Sequence, residues 1–156
     1  MIVPLRLRII FLLFAAFGCS AVAQAGVSGT GGFENDDARE WFEKEFKTRG
    51  MPAVLRAIEI VARSDDYLLM PQACRAIAAC EVLAAVQGRP SPDLPEEVAA
   101  LARKFPRKVH DALRRTARDA IDRVTGPDSE TNDVWKQAGD DYQKWQKSVR
   151  DLKARL

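Results

Sequence analysis

Histidine and cysteine are scarce in this chain, and charge of neither sign dominates it. One histidine, His110, cannot build a metal cluster or a catalytic triad alone, and three cysteines in 156 residues exclude a disulfide-dense miniprotein. The signatures that carry common enzyme chemistry are missing: there is no Gly-x-Ser-x-Gly elbow, no Cys-x-x-Cys and no His-Glu-x-x-His. No run alternates apolar and polar residues for the length of a strand. Nine glycines and eight prolines without a period exclude a collagen, and a hydrophobic content of 47% excludes a disordered tail. Lys and Arg number 24 against 22 Asp and Glu, and two of those cations, Arg6 and Arg8, lie in the first 25 residues. The rest of the chain is therefore neutral, which argues against nucleic acid as a partner. Its length suits one domain that buries roughly two thirds of its unfolded surface.

The opening segment reads as a signal peptide over residues 1–25. Arg6 and Arg8 precede an unbroken apolar run, Ile9 to Phe17, and Ala23-Gln24-Ala25 supplies small residues before a cleavage point between Ala25 and Gly26. A membrane-spanning helix wants about 20 apolar residues, and Gly18, Cys19, Ser20 and Gln24 interrupt this run too early. An alternative is lipidation of Cys19, because Ala16-Phe17-Gly18-Cys19 resembles a relaxed lipobox without its preferred leucine. Either route implies a periplasmic or secreted protein, membrane-anchored only if Cys19 carries lipid. Cys74 and Cys80 would then meet an oxidising environment. Six residues on one helix span about 9 Å, beyond the usual reach of about 6.8 Å between bridged Cα atoms, so both thiols are expected as small core side chains.

A glycine-rich arm, residues 26–34, leads into a helical domain over residues 35–156. Asn35 is placed to cap a first helix with Asp36 and Asp37 in its first turn and Ala38, Trp41, Phe42 and Phe46 on one face, ending at Gly50. Pro52 opens a second helix whose stripe is Val54, Leu55, Ile58, Val61 and Ala62. Pro71 starts a third, to Gln87, rich in alanine and apolar on nearly every side, the pattern of a central helix. After a proline-rich turn, Val98, Leu101, Ala102 and Phe105 predict a fourth. Val109, Leu113, Ala117, Ala120 and Val124 predict a fifth, closed by Gly126-Pro127. Ser129 is placed to cap a last helix, in which Trp135, Ala138, Tyr142, Trp145, Val149, Leu152 and Leu156 form a heptad seam, with a restart at Asp140 allowed by Gly139. The expected fold is an all-α, single-domain bundle of five or six helices.

Two surfaces qualify as binding candidates. Glu34, Asn35, Asp36 and Asp37 crowd one helix start; carboxylates there favour the dipole and suit a cation or basic side chain rather than phosphate. Arg103, Lys104, Arg107 and Lys108 lack close acids beyond Glu97 and suit an acidic partner or lipid head groups. Further along, the four-residue spacings Asp111 with Arg115, Arg115 with Asp119, Arg118 with Asp122 and Asp119 with Arg123 predict a salt-bridged, solvated face. His110 is expected at the core boundary beside Val109 and Leu113. The aromatic residues Trp135, Tyr142 and Trp145 are expected in the core.

The segment Gly29-Thr30-Gly31-Gly32-Phe33-Glu34-Asn35-Asp36-Asp37-Ala38 resembles the opening of an uncharacterised bacterial family, domain of unknown function 4259. Ala78-Ala79-Cys80-Glu81-Val82-Leu83-Ala84-Ala85 is similar to its alanine-rich middle helix. Ser129-Glu130 through Trp135, then Trp145 and Leu152 to Leu156, is similar to its close. Val27-Ser28 departs from the family, which often carries tryptophan before the glycine. The resemblance implies a shared helical fold and brings no activity with it.

These features point to an exported, non-enzymatic binding module for an envelope or secreted protein. No catalytic residue, metal ligand or cofactor is expected. Two other readings stand beside it: a small carboxylate-based or metal-dependent hydrolase using Glu34, Asp36 and Asp37, and a structural envelope lipoprotein anchored through Cys19.

Overall fold

The computed structural model describes residues 29–156 and is helical throughout, with seven helices and no strand among those residues. The leader, its cleavage point at Ala25 and Gly26, and Cys19 lie outside the described residues. Helix α1 runs without interruption through Asp36–Trp41, a π-helical turn Phe42–Phe46 and Lys47–Arg49. Asn35 caps it as expected, its Oδ1 accepting the Ala38 N–H at 2.8 Å. Helices α2 (Met51–Ala62) and α3 (Met70–Val86) each carry proline in the first turn, where its missing N–H costs nothing. Then follow α4 (Glu96–Ala102), α5 (Asp111–Thr125), α6 (Glu130–Lys136) and α7 (Asp140–Arg155).

The thin third helix is central, as its composition predicted. Twelve of its 17 residues are buried, eight of them alanine or cysteine beside larger Val82, Leu83 and Val86, and it packs against every other helix. Small side chains let the neighbours approach closely, while the bulk of the core comes from outside: Trp41, Phe46, Ile58, Ile121, Leu152 and Leu156 are among its largest fully buried side chains. Each contributes about 1.5–3 kcal/mol on leaving water. Cys74 and Cys80 are free and buried among them. Burial, with the charge of Asp37 a smaller cause, pushes the Cys74 thiol up to about 12. Burial raises Cys80 as well, and its Sγ lies 3.7 Å from the Ala117 carbonyl.

One charged residue sits in this apolar helix. The Glu81 side chain is 5% exposed, and Arg155 of α7 grips it with two bonds, at 2.7 and 2.9 Å. The same guanidinium donates to the Arg89 carbonyl at 3.2 Å. The glycine arm closes over the pair: a Cβ at Gly32 would lie 2.8 Å from Glu81 Cγ, so only glycine fits without displacing that side chain. At the start of α3 the cap comes from far away, Glu130 Oε2 accepting the Met70 N–H at 2.7 Å. Beside it a single parallel bridge joins Leu68 to Ser129.

Seven helices replace the expected five or six because the closing segment splits at Gly139, which takes φ +60°. The seam survives the break, with Trp135 and Trp145 stacked across it at 5.7 Å. Ser129 occupies the N-cap position of α6 but makes no capping bond, and its buried hydroxyl has no partner among the described residues. Leu55, expected in the stripe of α2, is 37% exposed, since the inward arc is filled by Ala53, Val54, Ile58 and Val61. His110 is exposed, because α5 begins after it and turns it outward at the N-cap.

Arg155→Ala leaves the Glu81 carboxylate buried without its cation and is expected to lower the unfolding free energy by about 3 kcal/mol or more. Glu81→Gln/Arg155→Met is expected to recover much of that loss, which urea denaturation would measure. Alkylation at pH 8 followed by peptide mapping is expected to label Cys74 and Cys80 only after unfolding, since thiolate is the reactive form.

Candidate functional site

The π-helical turn of α1 follows from its aromatic residues. Trp41 and Phe46 are five apart, which an α-helix would place on different faces, whereas the wider turn sets one over the other. Their rings stack at 5.8 Å and 12°, and the Lys47 N–H bonds the Phe42 carbonyl five residues back. The outer side of this turn carries Lys44 and Glu45 to the rim of a cleft formed with α2 and α3.

That cleft has a volume of about 500 Å³. Trp41, Ala57 and Ile60 supply its apolar wall, with Ile60 46% exposed. Lys44, Arg49, Arg56 and Arg75 bring four cations to the same lining against one carboxylate, Glu45. Three of the cations have acidic neighbours: Lys44 pairs with Glu40, Arg49 lies 4.0 Å from Glu45, and Arg75 lies 4.0 Å from Asp37. Arg56 has no ion-pair partner among the described residues. The positive field is felt outside the cleft, where the Lys44 bond and, more weakly, Arg75 hold the Glu40 carboxyl below its usual range. Two buried donors on this wall, Trp41 Nε1 and Arg75 Nε, have no hydrogen-bond partner among the described residues. Each such donor costs about 1–3 kcal/mol.

The acidic helix start does not converge on a point. Glu34 Oε2 accepts the Gly31 N–H at 2.7 Å, Asn35 caps, Asp36 is exposed near Arg39, and Asp37 faces Arg75. No group of three His, Cys, Asp or Glu is placed to hold a metal ion among the described residues. Of the basic four, Arg103 pairs with Glu96, Lys104 and Lys108 are exposed, and the Arg107 guanidinium lies against Gly88. None of the four expected ion pairs along α5 forms. Arg114 pairs with Asp111 instead, Lys153 of α7 takes Asp122, and Arg123 donates to the Asp66 carbonyl. Trp135, Tyr142 and Trp145 lie in or against the core, as expected.

The sequence pattern gave no sign of the cleft. Lys44, Arg49, Arg56 and Arg75 come from three helices and share no spacing, so only their tertiary placement brings them to one lining.

The model of one protein family, described as Domain of unknown function (DUF4259), matches residues 26–148. No curated protein and no solved structure matches the chain. Among the described residues, no helix is long and apolar enough to cross a membrane.

Proposed function

The chain belongs to the family of domain of unknown function 4259, and from that premise we propose that it is an exported, non-enzymatic binding module whose ligand is an organic anion with an apolar part. The observation that carries this reading is the cleft of α1, α2 and α3, where four cations surround an apolar wall that holds an indole N–H with no partner among the described residues. An anionic group would lie among Lys44, Arg49 and Arg56, where charge-assisted bonds are about twice as strong as neutral ones. An apolar group would cover Ile60 and Ala57. Small rotations of the long side chains at the rim would let an acceptor reach Trp41 Nε1. Asp37 then has a supporting part, orienting Arg75 from outside the cleft. The lining offers one carboxylate and no nucleophile paired with a base, which suits binding rather than turnover.

Anilinonaphthalene sulfonate, an aromatic anion, is a direct probe. Native protein is expected to bind it saturably, with energy transfer from tryptophan, and Lys44→Gln/Arg56→Gln to weaken binding about tenfold. Arg63→Gln, outside the cleft, is expected to leave it unchanged; equal affinity in all three proteins would sink the assignment. Export is checked separately by intact mass after expression with the leader. A chain beginning at Gly26 is expected, and a lipidated chain beginning at Cys19 would replace cleavage after Ala25.

A further inference from the structure

We propose that a second cleft, between the end of α3 and the first turns of α5, is a binding site for a phosphate-type oxyanion. It is independent of the organic-anion cleft and shares no lining residue with it. Its volume is about 410 Å³, and Arg89, Arg114, Arg115 and Arg118 line it with Asp111 and Leu156. Four guanidinium groups therefore meet one side-chain carboxylate in a concave surface.

The arrangement is held in place before any ligand arrives. Gln87 Oε1 accepts from Arg89 Nη2 at 3.0 Å and from Arg114 Nη1 at 3.4 Å, so two like charges converge on one neutral oxygen. Their mutual repulsion is relieved only in part by Asp111, which pairs with Arg114. Arg115 and Arg118 have no ion-pair partner among the described residues. Arg155, while holding Glu81, also fixes the Arg89 carbonyl at 3.2 Å and so ties the cleft to the buried pair.

The positive end of α5, a helix of 15 residues, opens at the same place. Each guanidinium is planar, permanently charged and donates to two oxygens at once, so several of them around one cleft suit a phosphate group, with more oxygens and higher charge, better than a carboxylate with two. The compact grouping suits a single phosphate or diphosphate head rather than a long polyanion.

Isothermal titration with inorganic pyrophosphate at low ionic strength tests the site. Saturable one-to-one binding is expected, at least about tenfold weaker in Arg114→Gln/Arg118→Gln and unchanged in Lys44→Gln/Arg56→Gln, with folding checked by circular dichroism. Should the first variant fail to fold, Arg89→Gln/Arg115→Gln, both at exposed positions, makes the same test. Vesicle sedimentation then distinguishes the source of the phosphate. Retention on phosphatidylglycerol vesicles, but not phosphatidylcholine, with competition by pyrophosphate identifies a lipid head group; pyrophosphate binding without retention identifies a soluble phosphate compound. Both outcomes support the site. Absence of saturable binding to either probe overturns it, as does undiminished affinity in the folded arginine variants or equal loss in Lys44→Gln/Arg56→Gln, which would indicate diffuse charge.

Discussion

A carboxylate inside an apolar helix is the constraint around which this bundle is arranged. Glu81 must be met by a cation, because an isolated buried charge costs several kcal/mol, and Arg155 reaches it with two bonds. Meeting it fixes where α7 lies on α3. It also explains the bare backbone of the arm at Gly32, which passes where any side chain would strike Glu81. The third bond of the same guanidinium carries the constraint outward to Arg89 and the turn after α3. Core, arm and one arginine-lined surface thus share a single anchor.

Around that anchor, the thinness of α3 and one departure from regular helix geometry set the surface features. The alanine and cysteine side chains of α3 allow six helices to crowd it, so the larger residues that fill the core must come from the outer helices. In α1 this demand puts Trp41, Phe42 and Phe46 inward together, and the backbone widens to a π turn to allow the stack. The wider turn then decides where Lys44 and Glu45 point. A packing requirement inside the molecule has shaped a charged cleft outside it.

The all-helical class, the central position of the alanine-rich helix, the Asn35 cap and the buried thiols were legible because each follows from composition or short-range spacing. Ala73 to Val86 is apolar on nearly every side, and a central place in the bundle satisfies such a helix. The split at Gly139 was allowed by the sequence but not required, since the stacked Trp135 and Trp145 keep one seam across two helices. What escaped were contacts made over long separations. Glu130 capping α3, Arg155 meeting Glu81 and Lys153 taking Asp122 join residues 60, 74 and 31 positions apart. The regular acid–base spacing along α5 suggested local pairs, yet Asp111 and Asp122 turned to Arg114 and Lys153, and Asp119, Arg115 and Arg118 form no ion pair among the described residues. Charge pairing on a helix face is weak, a few tenths of a kcal/mol, so tertiary neighbours readily override it.

The separation of 74 residues between Glu81 and Arg155 also bears on how the chain reaches its native state. Closing so long a loop carries an entropic cost that local helix formation does not relieve, and contacts of this kind slow folding. Until α7 is present, α3 holds an unneutralised carboxylate and an apolar surface with an incomplete cover. Burial of the Glu81 carboxylate in neutralised form therefore comes with the docking of α7 on α3, so these two distant helices settle together.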